Sequence, residues 1–76
     1  MLIYVKDAEY ITEYQIEIKF TNGISKIVDL KEHLSGEVFE PLKDLNYFKS
    51  FKVNKDTETI EWNNGADFAP SFLYSL

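Results

Sequence analysis

Asp67 lies between Ala66 and Phe68 in the stretch "WNNGADFAP", just ahead of a proline that reads as a helix start. A carboxylate held among apolar neighbours can act as a general base or grip a donor on a partner. The same group can instead accept amide hydrogens from the turn or from the first helical turn, where negative charge meets the positive end of the helix dipole. The second role is favoured, because Ala69 before Pro70 has no capping side chain and the free amides need an acceptor. Asn63 and Asn64 would suit amide recognition. Ahead of Gly65 they read first as turn residues, since Asn tolerates left-handed backbone and Gly65 completes the reversal. Trp62 has two roles open to it, a core anchor paired with Phe51 or an exposed hot spot beside Phe68 and Tyr74; the core role is favoured.

The other candidates form no constellation. His33 is the only histidine and stands among Lys31, Glu32 and Leu34. Glu32 adjoins it in sequence and so faces elsewhere on a helix. A metal site needs more nitrogen or sulfur ligands, and the chain has no cysteine. A surface or half-buried histidine is expected. The serines occupy no G-x-S-x-G elbow, the glycines make no phosphate cradle, and the acids lack calcium-loop spacing. No catalytic residue, cofactor or metal is expected.

The elements that position these residues follow from periodicity. "YQIEIKF" alternates, with Tyr14, Ile16, Ile18 and Phe20 on one face and Gln15, Glu17 and Lys19 on the other, the pattern of a half-buried strand. A three-residue loop, Thr21-Asn22-Gly23 with a left-handed Gly23, sets Phe20 against Ile24 and continues the buried row through Lys26, Val28 and Leu30. An earlier strand is read over about Leu2 to Glu9. "DLKEHLSG" predicts one or two helical turns, begun by Asp29 and ended by a left-handed Gly36. Pro41 forces a tight turn over Phe39 to Lys43, followed by a short helix capped by Asp44 with Leu45 and Phe48 inward. "FKVNKDTETIEW" predicts a hairpin with Val53 opposite Ile60 and Phe51 opposite Trp62, turning near Lys55 to Glu58. A last helix starts at Pro70, with Phe72, Leu73 and Leu76 as its apolar stripe. The expected fold is α+β: a mostly antiparallel sheet of about five strands, in the order β-β-β-α-α-β-β-α, with short helices on one face.

Seventy-six residues make one domain, 1–76, whose small core must be dense in large side chains. Six Phe, five Tyr and one Trp supply them. The N-terminus carries Lys6, Asp7 and Glu9 and lacks the apolar run of a secretory signal, and no stretch approaches the roughly 18 apolar residues of a membrane span. With no cysteine, a reducing, cytoplasmic setting is expected. The net charge is −5 and all eight basic residues are lysines. Without arginine the chain lacks the side chain that reads phosphate and guanine bidentately, so direct nucleic-acid binding is disfavoured.

Taken together, Phe20-Thr21-Asn22-Gly23, "VDL" at Val28 to Leu30, "GEVFEPLKD" at Gly36 to Asp44, Tyr47-Phe48 and the terminal "WNNGADFAPSFLY" resemble a family of small bacterial proteins, domain-of-unknown-function family 2442. The likeness runs nearly the whole length. It implies an α+β fold, no established activity, and in many members one half of a two-gene module resembling a toxin–antitoxin pair. A helix-turn-helix domain follows in some members and is not expected in a chain that stops at Leu76. Asn63 and Leu45 stand where the family commonly has proline, which loosens the backbone at both places.

The expected function is a non-enzymatic protein-binding module, antitoxin-like, with a protein partner that acidic charge suggests is basic. The alternative is a transcriptional regulator that reaches DNA only inside a complex. Trp62, Asn64, Gly65, Asp67, Pro70 and Tyr74 are the candidate partner-binding or motif residues, and a monomer or weak homo-oligomer is expected.

Overall fold

Alternating side chains build the first sheet. The computed structural model describes residues 2–76, in which β1 (Val5–Thr12), β2 (Gln15–Phe20) and β3 (Ser25–Asp29) form an antiparallel sheet in chain order. Ile16, Ile18 and Phe20 of the central strand are fully buried and Tyr14 is half-buried above them. The loop to β3 has the expected form: Phe20 N–H donates to the Ile24 carbonyl at 2.9 Å, Gly23 N–H donates to the Phe20 carbonyl at 3.0 Å, and Gly23 is left-handed at φ +87°. Ile16 therefore faces Val28 and Ile18 faces Lys26. Ile24 departs from expectation at 44% exposed, since it sits at the loop end of an edge strand.

β1 begins at Val5 rather than Leu2 and runs on to Thr12, with bulges at Lys6 and Ile11. Its two-residue turn into β2 is Glu13-Tyr14, with Glu13 at φ +50°. Asn or Gly normally marks that position, so the turn carries no sequence signal.

In the second half, polar side chains organise short elements. The Asp29 carboxylate accepts the Lys31 amide at 3.0 Å and opens a 3-10 turn, Lys31–His33, in place of the expected α-helical turns. Gly36, left-handed at φ +105°, then leads into a second 3-10 turn, Glu40–Lys43, around Pro41. Asp44 caps α1 (Leu45–Phe48) by accepting the Asn46 amide at 3.0 Å. β4 (Lys52–Asn54) and β5 (Thr59–Glu61) pair with Val53 opposite Ile60, as read from the alternation. α2 (Pro70–Ser75) starts at its proline and buries Leu73, while Leu76 stays 38% exposed and leaves the stripe narrower than expected.

The fold is α+β with five antiparallel strands in the expected order, but they divide into a three-stranded and a two-stranded sheet. β1 is interrupted by a bulge at Lys6, and β4 and β5 are only three residues each. Val5 N–H of the larger sheet donates to the carbonyl of Glu58, just ahead of β5, at 2.9 Å. Both helices pack on the inner face of the larger sheet: the Phe48 ring meets Tyr14 edge-on at 5.3 Å, and Tyr74 meets Phe20 at 5.0 Å. Among the described residues no element covers the outer face, where Asp7, Glu9, Lys19, Ser25 and Ile27 are exposed, as antiparallel sheets allow.

Candidate functional site

The terminal motif is a second copy of the first hairpin loop. Trp62 N–H donates to the Ala66 carbonyl at 2.9 Å, Gly65 N–H donates to the Trp62 carbonyl at 3.0 Å, and Gly65 is left-handed at φ +91°. The asparagine before each glycine does the same work. Asn64 Oδ1 accepts the Ala66 amide at 3.0 Å, as Asn22 Oδ1 accepts the Ile24 amide at 3.1 Å. An aromatic-x-Asn-Gly segment thus makes the same bulged turn twice. Neither Asn63 nor Asn64 adopts the left-handed backbone expected of them, so Asn64 serves through its amide group.

Asn64 also reaches across the chain. Its Nδ2 donates to the Val38 carbonyl at 2.9 Å, and its backbone amide donates to the Tyr47 hydroxyl at 2.9 Å. Trp62 is 2% exposed, and its indole N–H donates to the Phe48 carbonyl at 2.9 Å. The rings of Phe48, Phe51 and Phe68 surround it at centroid distances of 5.7, 6.1 and 6.0 Å. Trp62 is thus a core anchor rather than an exposed hot spot. Thr59, the one buried polar side chain described, ties the motif to β5 by donating its hydroxyl proton to the Phe68 carbonyl.

Asp67 does not satisfy the donors assigned to it. It is exposed, its backbone makes an isolated antiparallel bridge with Glu61, and α2 has no side-chain cap. Hence the segment is a hairpin that runs on into an extended Ala69 before Pro70, rather than a direct strand-to-helix joint. Pro70 is half-buried beside Ile3 and Tyr4. Tyr74 belongs to a different neighbourhood from Trp62: it packs on Phe20, receives Lys26 Nζ at 5.2 Å from its ring centroid, and its backbone carbonyl accepts from the same ammonium. His33 is half-buried with its ring edge-on to Phe72 at 5.1 Å.

The open sheet face carries a second feature, built from residues of all three strands. Across the three strands, Asp7, Lys19 and Ser25 form one row, and Glu9, Glu17 and Ile27 form the next. Glu9 and Glu17 stand directly opposite, a placement that costs stability. Among the described residues the one ion pair is Lys43–Glu40, so no lysine bridges the two glutamates. Their side chains line a shallow basin of about 460 Å³ with Asp7, Lys19 and Ser25, and Ile27 beside it is 58% exposed. Periodicity puts Glu17 outward but cannot pair it with Glu9, because that register depends on the unmarked turn at Glu13 and the bulges of β1.

No curated protein and no solved structure matches the chain significantly. A family model does, described as "Protein of unknown function (DUF2442)", and its match covers residues 5–76, taking in both aromatic-x-Asn-Gly turns and the whole terminal motif. On that span the chain belongs to the DUF2442 family.

Proposed function

We propose that the chain is a non-enzymatic protein-binding module that receives a basic protein on the open face of its three-stranded sheet, as the antitoxin-like half of a two-gene bacterial module. The observation that carries this reading is the pair Glu9 and Glu17, set opposite each other beside an exposed Ile27, with no ion pair to either among the described residues. Local rules broken at a cost in stability concentrate at functional sites. A lysine or arginine from a partner entering between the two carboxylates relieves their repulsion and gains two charge-assisted contacts at once. Ile27 adds an apolar contact next to that charge, and the chain's net charge of −5 steers a basic protein toward it. The terminal motif then serves as scaffold: Trp62 and Asn64 hold the second hairpin against Phe48 and Val38.

The test is capture by the tagged chain in its host, repeated with the Glu9→Lys, Glu17→Lys double variant. The expected result is a basic protein retained by the wild type, released as salt rises, and lost from a variant whose circular dichroism is unchanged. Equal capture by both chains sinks the reading.

A further inference from the structure

We infer that the free edge of β3 pairs with β3 of a second copy, giving a weak symmetric dimer centred on Ile27. This goes beyond the acidic-face reading and rests on separate atoms, the backbone groups of the edge. The bonds at Phe20–Ile24 and from Leu30 N–H to the Tyr14 carbonyl fix which residues of β3 are bonded to β2. By the alternation of antiparallel ladders, Ser25, Ile27 and Asp29 are the non-bonded positions, and their backbone groups point away from β2.

The two edges of this sheet are treated differently. β1 is bulged twice and its Val5 amide is taken by Glu58. β3 pairs with β2 without any register shift, contains no proline and carries Ile27 at 58% exposure in its middle. An inward-pointing lysine is one device that blocks edges. Here the Lys26 ammonium is drawn under the sheet to the Tyr74 carbonyl and ring, and leaves the edge open.

The segment Ser25-Lys26-Ile27-Val28-Asp29 is complementary to itself. Paired antiparallel about Ile27, that residue exchanges both backbone bonds with its own copy. Ser25 then faces Asp29, so a hydroxyl meets a carboxylate, and Lys26 faces Val28. No like charges stand opposite, and the segment is neutral within a chain of net charge −5. The exposed Ile24, at 44%, lies on the inner face where the partner strand's far end arrives. The contact is small for a stable complex, so an association in the range of roughly 10 μM to 1 mM is expected.

The experiment is sedimentation velocity of the full chain up to 1 mM at low and high salt, with Ile27→Lys and Ile27→Pro. Lysine puts like charges on the two-fold axis, and proline removes an edge amide that β2 does not use. The expected result is a wild-type dimer that tightens with salt, because two acidic copies repel until screened, and at least a roughly tenfold weaker dimer in both variants. As a measure independent of variant folding, amide exchange in the wild type at Ser25, Ile27 and Asp29 is expected to slow as concentration rises. A wild type monomeric at 1 mM, a dimer untouched by both substitutions, or edge amides indifferent to concentration each overturns the proposal. Failure of the acidic-face reading appears separately, as heterotypic capture that survives the Glu9 and Glu17 changes.

Discussion

Replacing Asn64 by alanine is expected to cost more than replacing Asn22, although both stand in the same turn. Each asparagine accepts the amide two residues on, at 3.0 and 3.1 Å. Only Asn64 adds a strong second bond, its Nδ2 to the Val38 carbonyl at 2.9 Å, whereas Asn22 Nδ2 makes a long contact of 3.4 Å to the Tyr74 hydroxyl. Neither residue has positive φ, so alanine adds no backbone strain at either place and the difference reads the side chains. At roughly 0.5–1.5 kcal/mol for each hydrogen bond, Asn64→Ala loses about 1–3 kcal/mol and Asn22→Ala about half of that. For a domain whose total stability is of order 4–11 kcal/mol, the larger loss is plain to see. Urea unfolding followed by Trp62 fluorescence measures it, and the melting temperature should fall by about 4–8 °C per kcal/mol. If Asn22→Ala proves as costly as Asn64→Ala, the Val38 anchor contributes nothing and the account of the terminal motif as a scaffold is wrong.

Three further outcomes are expected. Asp67→Ala changes stability by no more than about 0.5 kcal/mol, because the carboxylate is exposed and caps nothing; a larger loss in urea unfolding contradicts its placement. Gly65→Ala costs about 1–2 kcal/mol through its left-handed backbone alone, since a Cβ there meets open space, and Gly65→Asn recovers part of the loss in the same assay. Glu17→Gln stabilises by roughly 0.2–1 kcal/mol at low salt by ending the repulsion with Glu9, and the gain shrinks in melting curves taken at high salt.

Much of the fold was legible because side-chain period and turn chemistry agreed. β2, the Gly23 loop, the Asp44 cap, the pairing of Val53 with Ile60 and the helix start at Pro70 were each marked by residues that suit one conformation. What stayed hidden was encoded in bonds between distant segments or in residues acting against type. Glu13 takes a positive φ that its side chain does not advertise, so the extent and register of β1, and with them the Glu9–Glu17 pair, could not be read. Asp67 looked like a cap because it precedes a helix, but the Trp62–Ala66 bond and the bridge to Glu61 carry its carboxylate outward. The terminal motif stands out in the sequence by its composition. The duplication of its turn at Phe20 becomes visible once the hydrogen bonds of both loops are compared.

That duplication bears on how the chain finds its shape. Each aromatic-x-Asn-Gly turn closes between residues four apart, Phe20 with Ile24 and Trp62 with Ala66, so little chain entropy is lost in forming it. Local closures of this size run in microseconds or faster. The register of each hairpin can therefore be written before the two halves of the molecule meet. What is left for the slow step is docking: Val5 to Glu58, Tyr14 to Lys43 and Lys26 to Tyr74 all join segments far apart in sequence. Substitutions in the turns should then act mainly on the folding rate, because the turns are already formed at that step, while substitutions at those joints divide between folding and unfolding rates.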